Sequence, residues 1–159
     1  MNNNHVPVML KEVLSFIPKD KKINLIDATF GGGGYSRAIL KDFNIKNLIA
    51  IDRDPISKIF YEELKKDFDN IELFNQKFSK LDELLINSEH FKEKYDVIIF
   101  DLGVSSNQID NPERGFSFQK DGPLDMKMGS SNLNAFEVIN SFDEKKLADI
   151  FYEFGEEKY

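Results

Sequence analysis

Four short apolar runs recur along this chain, and three of them stop at an aspartate. Residues 23–27 end in Asp27, residues 47–52 in Asp52 and residues 95–101 in Asp101, with a further run, 70–75, between the last two. A near-continuous apolar stretch of this length suits a strand covered on both faces of a parallel sheet. Helical spacing fills the intervals at 35–43, 55–67 and 81–86. Strands and helices in alternation mean βαβ units, and hence a doubly wound α/β sheet. Crossovers in such sheets are right-handed, so the carboxyl ends of the strands gather on one edge, where ligands bind. The spacing therefore predicts three carboxylates on a single rim.

The first of these acids leads into four consecutive glycines, Gly31 to Gly34, and then into a helix opening at Tyr35. Glycine lets the backbone take up positive φ and approach a ligand closely. The helix that follows offers unpaired N–H groups at its start. A glycine run alone is equally a flexible turn. Asp52, about twenty residues further on at the end of the second strand, sharpens the reading, because an acid there can accept hydrogen bonds from ribose hydroxyls. NAD and S-adenosylmethionine both satisfy that geometry. An acid just ahead of the glycines, as Asp27 is, is common in methyltransferases, where it organises the turn. Ordinary helix capping is the plainer alternative for Asp27 and Asp52. Asp101, at the end of the fourth strand, would sit beside a methyl donor. A carboxylate there can hold the exocyclic N–H of a nucleobase and orient its lone pair, provided that the base is unstacked. Capping of the next turn is the alternative.

The remaining segments frame this core. Residues 9–17 have helical spacing and Pro18 stops them. Asp54 and Pro55 suit the N-cap and first position of the helix at 55–67. Residues 102–129 hold four glycines and two prolines with little periodicity, and a loop that long is usually functional. Residues 134–154 return to helical spacing in two pieces, with Ser141 as N-cap of the second.

At 159 residues, 41% of them hydrophobic and 15 of them Phe, the chain has material for one real core. It contains no cysteine, which excludes disulfides and thiolate metal sites. The acids have no clustered ligand spacing, so no metal is expected. No apolar run nears the ~20 residues that span a bilayer, and the first residues lack the layout of a secretory signal, so no membrane role and a cytoplasmic location are expected. The net charge of −7 argues against a purely electrostatic grip on nucleic acid.

Several pieces, taken in order, are similar to one family. They are His5-Val6-Pro7-Val8, Asp27-Ala28-Thr29-Phe30-Gly31-x-Gly33-Gly34, Ala50-Ile51-Asp52-Arg53-Asp54-Pro55, Phe78-Ser79 and Asp101-Leu102-Gly103-Val104-Ser105-Ser106-x-Gln108. Glu113-Arg114-Gly115-Phe116-Ser117-Phe118 and Asp121-Gly122-Pro123-Leu124-Asp125-Met126-Lys127-Met128 continue the match. These resemble the MraW/RsmH family, S-adenosylmethionine-dependent methyltransferases that act on the N4 of a cytidine in small-subunit ribosomal RNA. The resemblance implies a Rossmann-like methyltransferase sheet with S-adenosylmethionine as cofactor. It implies cofactor-binding roles for Gly33, Gly34, Tyr35, Asp52, Phe78, Asp101 and Gln108, with Asp101 also the catalytic candidate. The partner it implies is small-subunit ribosomal RNA or the assembling small subunit, and association of two copies stays open. The family usually has His where this chain has Tyr35, and a larger residue where it has Gly32. In the loop, Arg114 and Lys127 could meet phosphate and Phe116 and Phe118 could stack on a flipped base, or all four could be ordinary pocket-floor and surface residues. His5 is expected to pack or hydrogen-bond near the pocket mouth.

Family members are roughly twice this length, so the resemblance implies an incomplete sheet. Residues 1–129 would be the cofactor-binding core and 130–159 the start of an inserted helical domain. A sheet cut after four strands exposes an edge and an apolar face. The chain alone is therefore expected to be poorly stable and inactive on RNA. Two other functions compete. One is a non-catalytic cofactor-binding or assembly module derived from such an enzyme. The other is an NAD-dependent oxidoreductase, which would need a proton-transfer group from the two histidines, His5 and His90.

Overall fold

The structure, a computed structural model, describes residues 6–87 and 93–157. His5 and His90 lie outside them. The chain divides into two compact units, one ending at Ser106 and the other beginning at Asn107.

The first unit is built on four parallel strands: β1 (Ile23–Asp27), β2 (Ile45–Ile51), β3 (Ile71–Phe74) and β4 (Val97–Ile99), in the order β3-β2-β1-β4. Parallel neighbours need crossovers, and helices supply them: α2 (Gly34–Asp42), α3 (Ser57–Lys65) and α4 (Leu81–Asn87), with α1 (Leu10–Ser15) ahead of the first strand. Alternation along β1 splits its side chains between two cores. Ile23 and Leu25 join Ile39, Leu40, Leu48, Ala50 and Leu64, against which α1 packs Leu10, Val13 and Leu14. Ile26 joins Ala28, Ile49 and Ile51, packed by Leu81, Leu84 and Leu85 of α4. All five β1 residues are buried, and each large aliphatic side chain so buried contributes about 1.5–3 kcal/mol. At the opposite end of the sheet from the glycines, Asn24 holds the strands in register. Its amide donates to the Lys94 carbonyl at 2.9 Å, and its side-chain oxygen accepts from Asn47 at 3.0 Å.

The expected strands and helices are present, a short helix at Ser106–Asp110 interrupts the stretch read as a loop, and three details differ. The fourth strand pairs only over Val97–Ile99, and it is not buried on both faces: Ile98 is 48% and Phe100 49% exposed. Among the described residues it is the outer strand, paired with β1 alone, and apolar composition cannot tell a central strand from an edge. Asp54 is not the N-cap of α3, which begins at Ser57. Its carboxylate accepts instead from the Ile56 N–H at 3.2 Å, in the turn ahead of the helix. The third concerns the last helix, below.

The second unit begins on α5 (Ser106–Asp110) and ends on α6 (Ala135–Ser141) and α7 (Glu144–Phe154). The intervening loop folds upon itself. The Met126 N–H donates to the Arg114 carbonyl at 3.0 Å, and the Arg114 guanidinium donates to the Lys127 carbonyl at 2.8 Å while lying over the Phe116 ring. Two glycines permit the crossing. A Cβ on Gly115, at φ +68°, would sit 2.2 Å from the Pro123 carbonyl oxygen, and one on Gly122 would sit 2.0 Å from that of Pro112. Asn134 and Glu137 form a capping box on α6. Asp143, rather than Ser141, caps α7 by accepting the Lys146 N–H at 2.9 Å. Ser141 ends α6, where its hydroxyl donates to the Glu137 carbonyl. No helix among the described residues is long and apolar enough to cross a membrane.

Candidate functional site

The turn after β1 is tied to the strands on both sides of it. Towards β2, the Phe30 N–H donates to the Ile51 carbonyl at 2.9 Å and the Gly31 N–H to Asp52 Oδ2 at 2.6 Å. Towards β4, the Ala28 N–H donates to the Ile99 carbonyl at 2.9 Å, and the Asp101 N–H to Thr29 Oγ1 at 2.7 Å. The corner itself winds over the buried ring of Phe30. Gly33 takes φ +75°, and a Cβ there would lie 2.8 Å from that ring, so this position admits no side chain. Gly32 is exposed, so its lack of a side chain is not forced by packing. Gly34 opens α2 beneath Pro7, whose Cγ would be 2.5 Å from an added Cβ.

Three carboxylates meet here in different states. Asp27 is 1% exposed. It accepts from the Ser36 hydroxyl at 2.6 Å and the Thr29 N–H at 3.3 Å. Burial pushes its carboxyl up to about 6, opposed by those two hydrogen bonds and assisted by repulsion from Asp52 and Asp101. Asp52 is partly exposed. Besides the Gly31 N–H it accepts the Asp54 N–H at 2.8 Å, and burial again raises its carboxyl above the ordinary range. Asp101 is exposed, and its carboxylate makes no hydrogen bond among the described residues. Two of the acids thus build the corner, and the third is held by its backbone with its carboxylate uncommitted. Asp52 keeps lone pairs toward solvent and can still accept from a ligand hydroxyl.

The other expected site residues have distinct positions. Phe78 follows β3 in a short 3₁₀ turn. It is exposed and stacks edge-to-face on Phe100 with ring centroids 5.5 Å apart, leaving an aromatic surface at this end of the sheet. Tyr35 is buried, and its hydroxyl donates to the Val8 carbonyl. Burial first, then the charges of Asp101, Asp27 and Glu12, raise its phenol and keep the proton on it. Its side chain fastens the N-terminal segment, while its backbone N–H lies in the first turn of α2, without an intrahelical partner. Gln108 is buried on α5 in the second unit. In the loop, Arg114 is engaged as described, Lys127 pairs with Asp125 at 3.1 Å, and Phe118 is fully exposed. Thr29, Ser36 and Phe100 carry geometry that sequence reading did not single out. A hydroxyl residue nine positions after the strand-ending acid, in the first turn of the helix, was the available signal for Ser36.

A parallel sheet with a glycine corner between an acid of its own strand and an acid of the next defines a Rossmann-like nucleotide-type binding fold. Among the described residues, no group of three His, Cys, Asp or Glu side chains could hold a metal ion. The chain belongs to the MraW methylase family, whose model matches residues 2–159. Its relatives include proteins named ribosomal RNA small subunit methyltransferase H. That of Ehrlichia canis (strain Jake) is 48% identical over 158 residues, covering 98% of this chain and 52% of the relative. That of Wolbachia sp. subsp. Drosophila simulans (strain wRi) is 48% identical over 158 residues, covering 98% and 53%. That of Rickettsia bellii (strain OSU 85-389) is 44% identical over 164 residues, covering 100% and 50%. The chain spans about half the length of the curated relatives it matches. A solved Streptococcus pyogenes conserved hypothetical protein overlaps 60% of this chain and 57% of its own at TM-score 0.49 and 11% identity, too distant to weigh.

Proposed function

We propose that this chain carries the cofactor site of an S-adenosylmethionine-dependent methyltransferase acting on the N4 amino group of a cytidine in small-subunit ribosomal RNA. Residues 1–129 supply the core in this reading, and 130–159 begin an inserted helical domain. The protein then works in the cytoplasm, where small subunits assemble. The observation that carries the reading is the Asp101 carboxylate, exposed and uncommitted beside a corner whose other two acids are occupied in building it. Family membership and the names of the relatives support the substrate class.

S-adenosylmethionine, when bound, supplies a methyl group on a cationic sulfonium. The chain's own residues fit such a ligand. Asp52 accepts from ribose hydroxyls, Phe78 offers a face to a flat base, and the backbone of Gly33, Gly34 and Tyr35 lines the amino-acid end. For Gln108, in the second unit, a cofactor-contacting role rests on the family resemblance alone. Asp101 accepts the exocyclic N–H of the acceptor amine, which localises the nitrogen lone pair and aims it. The exposed ring of Phe118 can stack on an unstacked base.

Calorimetric titration of the chain with S-adenosylmethionine and with NAD tests the cofactor. Binding of the first and not the second is expected, and the reverse would sink the reading. Methyl transfer to small-subunit particles, with and without Asp101→Ala, tests the reaction. Cofactor binding with no transfer by any form containing these residues would favour a non-catalytic module.

A further inference from the structure

Between β1 and β4 the last ladder bond is the Ala28 N–H to the Ile99 carbonyl. Two residues later the chain reaches Asp101, which is exposed and whose carboxylate makes no hydrogen bond among the described residues. What orients that residue is its own N–H, which donates to Thr29 Oγ1 at 2.7 Å. Thr29 is in turn fixed through its backbone, because its N–H donates to Asp27, and Asp27 accepts from Ser36 in the first turn of α2. A hydrogen-bonded path therefore runs from the helix after the glycines, through two buried side chains and Thr29, to the backbone of Asp101. A valine at this position would keep the branched shape and lose the acceptor.

We propose that Thr29 is a positioning residue for Asp101: its hydroxyl accepts the Asp101 N–H and so sets the direction in which that carboxylate meets the cofactor and the acceptor amine. The proposal rests on the reading of Asp101 as a ligand-facing acid. Thr29 itself needs no contact with either ligand.

The test is a double-mutant cycle on the whole chain, read as S-adenosylmethionine affinity by calorimetry. Asp101→Ala alone tests the reading of Asp101; unchanged affinity there, or no binding by the unmodified chain, overturns that reading and the proposal with it. With Asp101 confirmed, Thr29→Val is expected to weaken binding roughly three- to tenfold, the range of one lost hydrogen bond. Thr29→Ser is expected to restore it, and Thr29→Val is expected to have no further effect once Asp101 is alanine. A penalty that persists undiminished in the Asp101→Ala background, or none in the first place, overturns the role of Thr29 and leaves that of Asp101 standing. Should Thr29→Val lose the fold, Thr29→Ala takes its place. Loss of the fold in both also overturns the proposal, since a hydroxyl serving one exposed residue cannot be what holds the core.

Discussion

The two units of the chain have comparable helical patterning and opposite interiors. In the first, strands and helices enclose two cores, and every apolar side chain buried among the described residues lies between Ile17 and Ile99. In the second, none is buried, and Phe136, Phe151, Tyr152 and Phe154 stand more than half exposed. Its order comes from backbone crossings at Gly115 and Gly122, the Asp125–Lys127 pair, a capping box and an aspartate cap. The difference shows that a helical apolar stripe states which face must be covered, and says nothing of what covers it. It also separates two uses of glycine: Gly33 makes room for a ring within a core, and Gly122 makes room for a passing backbone.

The comparison can be broken where the effects are largest. Leu25→Ala, at a site with 0% exposure, is expected to cost about 2–5 kcal/mol in denaturant unfolding, against less than about 0.5 for Phe151→Ala. Equal losses would mean that the second unit has an apolar core after all.

The two units should also answer pH with opposite signs. The Asp27 carboxyl is held up near 6 by burial, above its unfolded value, so the folded state holds its proton more tightly. Its stabilisation is complete below about pH 4 and is lost as pH rises through 6, by about 3 kcal/mol. Asp27→Asn should remove that slope in melts followed by circular dichroism. Asp143 runs the other way. The Lys146 N–H holds its carboxyl below the ordinary value, so the cap of α7 persists at neutral pH and loosens as pH falls through that lowered value. Hydrogen-exchange protection factors at the start of α7 should fall in acid while those of the sheet do not; a uniform response would merge the two units.

Smaller changes sharpen the picture within the second unit. Gly122→Ala has no room for its methyl against the Pro112 carbonyl and is expected to cost about 1–3 kcal/mol locally. Protease cleavage within 111–130 should rise, with β1 amides still protected. Asp143→Ala, which removes the cap, should have the smallest effect, visible as fraying of the first turn of α7 alone.

Much of the first unit was legible because its signals are local. The run at 23–27 is β1 to the residue, and α2 begins within one position of the expected start. The convergence of Asp27, Asp52 and Asp101 also followed, since strand direction and crossover handedness leave little choice. Legibility failed where a neighbour decides. The hydroxyl that the Asp101 N–H would find, the carbonyl that the Tyr35 phenol would fasten, and the burial of Ser36 against Asp27 are all meetings of residues distant in sequence or hidden by the turn. The loop at 102–129 read as unpatterned because its order rests on crossings between its own ends rather than on a repeat.

The amino-acid sequence by itself determined the class of fold, the order of its elements and which acids reach the rim, because periodicity and chain handedness act over a few residues at a time. Only the tertiary structure decided which of those acids are spent on the corner and which keeps its carboxylate uncommitted, because that depends on donors brought in by neighbouring strands. Asp27, Asp52 and Asp101 look alike as letters at the ends of apolar runs. They differ by what has been folded against them.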